Sequence, residues 1–91
     1  MLKLDIKKPA FDCLAALQAK QFKQVMLSIV CLTKTPYPQD SKKLTGYPFY
    51  RIDIGEYRVV YDVEANETLR VIVVDKRNDD EVYKRLRNLY N

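Results

Sequence analysis

All six arginines of this 91-residue chain, Arg51, Arg58, Arg70, Arg77, Arg85 and Arg87, lie in its second half, with Tyr50, Tyr57, Tyr61 and Tyr83 among them. A guanidinium is a planar fork of donors that matches phosphate oxygens two at a time, and a tyrosine ring offers a nucleotide a stacking surface. There is no histidine, which removes serine–histidine and cysteine–histidine nucleophile pairs and the usual acid/base pair of many ribonucleases. Cys13 and Cys31 are the only cysteines and form no CxxC, so neither a zinc or other metal site nor a disulfide framework is expected. Both fall in apolar-periodic segments and read as small core fillers. Arginine, lysine, tyrosine and carboxylates remain, a set suited to phosphodiester chemistry.

The charge is unevenly placed. Residues 1–50 hold eight Lys and three Asp, whereas residues 51–91 hold eight Lys or Arg and nine Asp or Glu. Lysines therefore give the first half a diffuse positive field, while the second half carries directional cations among acids. The pI near 9.1 favours a polyanionic partner. Hydrophobic content of 47% and charged content of 31% are those of a folded globular chain. No run approaches the ~20 apolar residues of a membrane span. Met1-Leu2-Lys3-Leu4-Asp5 lacks the apolar core of a secretory signal. A single domain over residues 1–91, working in the cytoplasm, is the expectation.

The elements that must position these residues follow from hydrophobic period. Leu2, Leu4 and Ile6 alternate with Lys3 and Asp5, as in a half-buried strand. Pro9 suits a helix start, and Ala10, Cys13, Leu14 and Leu17 form a helical stripe. Phe22, Val25, Met26, Ile29 and Val30 form a second, ended by Pro36 and Pro38. From Tyr50 the period becomes two. Gly55-Glu56 between strand-like runs indicates a type II′ hairpin, and Glu64-Ala65-Asn66-Glu67 another turn. Leu69 to Val74 is apolar on both faces, as in a central covered strand. Asn78 with Glu81 resembles a capping box, helped by Asp79 and Asp80, and Val82, Leu86 and Leu89 give the last helix its buried stripe. The order β-αα-βββ-α predicts an α+β fold: an antiparallel meander with two N-terminal helices on one face and a C-terminal helix.

Alternation places Arg51 and Asp53 on one strand face, Arg58 on the next strand, and Arg77 just beyond a strand end, ahead of the helix that carries Tyr83. Tyr50-Arg51-Ile52-Asp53-Ile54-Gly55-Glu56-Tyr57-Arg58-Val59-Val60-Tyr61, then Val73-Val74-Asp75-Lys76-Arg77 and Asp80-Glu81-Val82-Tyr83, resembles the RelE branch of the RelE/ParE toxin superfamily. Lys42 with Leu44-Thr45-Gly46 is similar to that family's lead-in. The resemblance covers the whole chain; its specific part is Leu44 to Tyr83.

It implies the toxin of a type II toxin–antitoxin system, a metal-independent mRNA endonuclease that enters the ribosomal A site and needs no cofactor. There the 2′-hydroxyl attacks the adjacent phosphate, leaving a cyclic phosphate and a 5′-hydroxyl. By position, Arg58 and Arg77 would stabilise the charge that builds on the phosphate, Arg51 would contact it, and Tyr83 would orient a nucleotide. Lys42, Lys43 and Lys76 would dock RNA or ribosome. The implied partners are a cognate antitoxin and the 70S ribosome with mRNA, not a membrane or a metal.

Two residues depart from the family pattern. Asp53 stands where a lysine is credited with base or electrostatic work; it can accept a proton or pair with Arg51. Asp75 replaces a small residue. Two alternatives follow: a ParE-like inhibitor of DNA gyrase on the same fold, or an RNA- or ribosome-binding module impaired in cleavage.

Overall fold

The computed structural model describes residues 1–77 and 81–90. The elements run β1 (Lys3–Ile6), α1 (Lys8–Ala16), α2 (Ala19–Lys34), β2 (Lys42–Lys43), β3 (Tyr50–Ile54), β4 (Tyr57–Glu64), β5 (Thr68–Lys76) and α3 (Glu81–Tyr90). They form a five-stranded sheet in the order β1-β5-β4-β3-β2. The expected α+β meander is present from β2 to β5, each pair antiparallel. Two features extend it: the short β2 at one edge, and β1, which joins the other edge parallel to β5 through Leu4–Leu69 and its neighbours. Among the described residues no helix is long and apolar enough to cross a membrane.

The turns have the chemistry their residues demand. Only Gly55 of the Gly55-Glu56 pair has positive φ, +58°, as a type II′ hairpin requires, and Ile54 and Tyr57 close it. Ala65 and Asn66 both take positive φ, 54° and 56°, which is the type I′ pattern. Pro9 sits in the first turn of α1, where its missing N–H costs nothing. Lys7, just before that helix, donates its N–H to the Val71 carbonyl and ties the helix entry to β5.

β5 separates two apolar clusters, as its two-faced pattern requires. Leu69, Val71 and Val74 join Ile52, Ile54, Val59 and Tyr61 against α1 and α2. Ile72 and Val73 join Val60, Leu44 and Phe49 against Val82 and Leu86 of α3. The irregularity opposite Val60 and Tyr61 reconciles the two sets: Val60 pairs with Val73 and Tyr61 with Val71, so Ile72 is an extra residue of β5, and Ile72 and Val73 in succession serve the α3 core.

Three expectations need correction. The buried stripe of α2 is Val25, Ile29 and Leu32, whereas Phe22 and Val30 are 42% and 43% exposed. Phe22 lies in the first turn, and Val30 lies about a third of a turn off the Val25–Ile29–Leu32 line. Cys31 is likewise exposed rather than a core filler; Cys13 is partly buried, and burial raises its thiol pKa. Leu89 is 47% exposed, so two residues, Val82 and Leu86, anchor α3. The capping box expected at Asn78, with Asp79 and Asp80, lies outside the described residues.

Candidate phosphate-binding site

The hairpin at Gly55 sets the register of the site. A two-residue turn closed by Ile54 and Tyr57 places Asp53 directly opposite Arg58 and Arg51 opposite Val60. On the other side, β5 places Asp75 opposite Arg58 and Val73 opposite Val60. Directly opposed residues share a sheet face. Val60 and Val73 lie in the cluster under α3, so Arg51, Asp53, Arg58 and Asp75 occupy the α3 face. Lys42, paired with Arg51, extends that row. Lys43 is paired with Tyr50, whose ring packs on the α1/α2 cluster, so Lys43 belongs to the other face.

Arg58 is the most enclosed cation of the group, its side chain 13% exposed. Its Nε donates to Asp53 Oδ1 at 2.7 Å and its Nη2 to Oδ2 at 3.2 Å, a two-point pair. Arg51 Nη1 reaches Asp53 Oδ2 at 3.5 Å, the longest contact of the three. The hydrogen bond from Arg58 lowers the Asp53 carboxyl pKa most strongly, and the charges of Arg58, Arg51 and Arg77 add to it. Partial burial works the other way but does not prevail. The pairing expected between Asp53 and Arg51 is therefore present, but Arg58 is the principal partner.

Arg77 continues the ladder beyond β5. Its N–H donates to the Glu56 carbonyl at 2.9 Å, which fixes its backbone beside the hairpin turn. Arg58, Lys76, Arg77 and Glu56 line an open pocket of about 450 Å³ there. Three cations and one acid around an opening of this size suit an anionic group, and arginine's fork makes phosphate a good match. Among the described residues no group of His, Cys, Asp and Glu could hold a metal ion.

Tyr83 is half-buried against the cluster of Val60, Val73, Val82 and Leu86, and Tyr47 packs on the same cluster. Tyr83 thus has a packing duty beside any contact it makes with a ligand. The ring of Tyr47 lies nearly parallel to Phe49, at 9° and 6.5 Å between centroids.

Glu56 and the Asp75–Arg85 pair are additions to the residues singled out by pattern. Asp75 gives its carboxylate to Arg85 of α3 and also accepts the Lys76 N–H at 2.8 Å. That pairing accounts for an aspartate in a place where a small residue was expected. The hairpin itself was the signal for the Asp53–Arg58 pair, since its loop length dictates which residues face each other. Arg70 lies elsewhere, bound to Asp62 and, at 3.1 Å, to Glu64.

This arrangement of strands and helices occurs in solved toxin structures. A mutant of the E. coli toxin RelE in the free state matches with a TM-score of 0.79 and 26% identity, covering 99% of this chain and 98% of that one. The intact E. coli RelBE toxin–antitoxin complex matches at 0.74 and 27% identity, covering 86% and 99%. The archaeal RelE–RelB complex from Pyrococcus horikoshii OT3 matches at 0.74 and 24% identity, covering 86% and 97%. No curated protein sequence matches the chain. Residues 5–81 match the family model described as ParE toxin of type II toxin-antitoxin system, parDE. The chain belongs to that toxin family, within the RelE/ParE superfamily.

Proposed function

We propose that this toxin is a ribosome-dependent mRNA endonuclease that works in the A site and halts translation. The observation that carries the reading is the convergence of Arg58, Lys76 and Arg77 on one pocket, with Arg51 close by. In the proposed reaction the 2′-hydroxyl of the bound mRNA attacks its own phosphate. A 2′,3′-cyclic phosphate and a 5′-hydroxyl result, without a metal. Arg58 and Arg77 hold the extra negative charge of the crowded phosphate, which forked donors do well in a partly enclosed site. Arg51 contacts the phosphate, Tyr83 steadies a nucleotide ring, and Lys42, Lys43 and Lys76 contribute to docking. Asp53 is a poor base here, because its proton affinity is lowered by the arginines around it. Removal of the 2′ proton then leans on groups of the ribosome–mRNA complex.

The RelE–RelB complexes among the similar structures support a cognate antitoxin as protein partner. An acidic, partly disordered segment that folds over the arginines would suit the basic surface. The site of action is the cytoplasm, where translation takes place, and residues 1–91 act as one domain.

The decisive assay programs purified 70S ribosomes with a defined mRNA. Wild type should cut in the A site, and Arg58→Ala and Arg77→Ala should each lower the rate by about 10²-fold or more. Equal cutting by all three would remove these arginines from the mechanism. Intact message under arrested growth would remove the nuclease reading. A second reading, inhibition of DNA gyrase, is favoured by the ParE name of the matching family model. Trapped gyrase–DNA cleavage complexes with uncut mRNA would establish it instead.

A further inference from the structure

Arg58 presents Nε and Nη2 side by side, and the Asp53 carboxylate takes both, at 2.7 and 3.2 Å. A phosphate would use the same two-oxygen grip. The second carboxylate oxygen is also approached by Arg51 at 3.5 Å, so one small anion sits between two guanidinium groups. The adjoining pocket is lined by Arg58 itself together with Lys76, Arg77 and Glu56. Arg58 and Arg51 thus hold a carboxylate beside a pocket in which a phosphate would meet two further cations.

We propose that Asp53 is a built-in counter-anion: a phosphate ligand binds this face by displacing the Asp53 carboxylate from Arg58, and residue 53 sets the affinity of the site. The backbone cannot carry Asp53 away, because the β3–β4 ladder locks its Cα opposite Arg58. Its side chain can turn aside, since it is short and 31% exposed. A single phosphate must break a two-point pair and then lie beside a released carboxylate, so it binds weakly. Neighbouring phosphates of a strand meet Lys76 and Arg77 as well, and compete better. Asp53 therefore favours polyvalent phosphate ligands over isolated anions. The proposal rests on the phosphate-binding part of the proposed function and is independent of cleavage.

The test uses the full chain and inorganic phosphate at fixed ionic strength, followed by NMR. Asp53→Asn should bind phosphate on the order of tenfold more tightly than wild type, because a like charge beside the ligand is gone. Asp62→Asn makes the same change in net charge at the Arg70 pair and should shift affinity by less than about twofold. Equal gains in the two variants, or no phosphate binding by Asp53→Asn, would overturn the proposal. If Asp53→Asn does not fold, the wild-type protein decides. Its Asp53 carboxyl ¹³C resonance should move as phosphate saturates the Arg58 Nε–H signal, and a stationary resonance refutes displacement. The 70S assay separates the two ideas. Tighter phosphate binding by Asp53→Asn with no mRNA cutting by either protein leaves the counter-anion standing and removes the nuclease. Cutting by wild type with no gain in Asp53→Asn does the reverse.

Discussion

Asp75 lies directly across the β4–β5 ladder from Arg58, yet its carboxylate is taken by Arg85 of α3. Arg58 is thus flanked by two aspartates, Asp53 on β3 and Asp75 on β5, and the helix withdraws one of them. Arg85→Ala should return Asp75 to the Arg58 field and weaken RNA binding several-fold. Anisotropy of a labelled single-stranded RNA would measure it. Arg85 is about half exposed, so the loss of stability should be small, about 0.5–1 kcal/mol.

Asp53→Asn should lower stability at neutral pH by about 1–3 kcal/mol, the range for a charge-assisted hydrogen bond broken in a partly enclosed place. The pH dependence has a definite sign. The folded-state pKa of Asp53 lies below its ordinary value, so its stabilisation is fully present above the unfolded pKa of about 3.9 and disappears as pH falls through the folded pKa. Urea unfolding should show a constant gap between wild type and Asp53→Asn from pH 5 to 8. The gap should shrink below pH 4.

Helix α3 is attached through the fully buried Val82 and Leu86. Leu86→Ala should therefore cost about 2–5 kcal/mol, the usual range for a core leucine truncated in place. It should also reduce cleavage before global unfolding, because Tyr83 and Arg85 ride on the same helix. Leu89→Ala, at an exposed position, should change stability by less than about 0.5 kcal/mol. Thermal melts and the 70S assay on the same samples separate loss of helix docking from loss of fold.

The two hairpin turns make opposite predictions. Ala65 holds φ at +54°, where an L-residue with a Cβ is strained. Ala65→Asn should raise stability by about 0.5 kcal/mol, since asparagine tolerates the left-handed region better. Gly55→Ala should lower it by about 1–2 kcal/mol: φ is +58°, although a Cβ there would meet the Gln24 side chain only at ordinary contact distance. Melting temperatures should move a few degrees in opposite directions.

Local pattern carried most of the fold. Period two over Tyr50–Val63, glycine at the hairpin and prolines after α2 are short-range signals, and the corresponding elements formed where they point. The parallel union of β1 with β5 is a long-range choice that no window of residues contains. The rotation of α2 is a second case: Phe22 and Val30 fit the helical stripe as well as Leu32 does, and only packing decides which are covered. For the site, residue type and alternation placed Arg51 and Asp53 on one face and Arg58 on the next strand. The principal partner of Asp53 depends on cross-strand register, and the role of Asp75 on a helix that arrives later in the chain. Neither side chain reveals its partner by its own neighbours in sequence.

The sheet is closed at one edge by pairing its first strand with its last, Lys3–Ile6 alongside Thr68–Val71. During synthesis, β1 must wait for β5 before its backbone is satisfied, and α3 follows still later. At roughly 5–20 residues per second this delay lasts several seconds. The face bearing Arg58 and Arg77 therefore forms only after β5 has been made and paired. Until then a nascent copy has no completed site. Any partner that recognises the folded face has nothing to bind until β1 and β5 have paired.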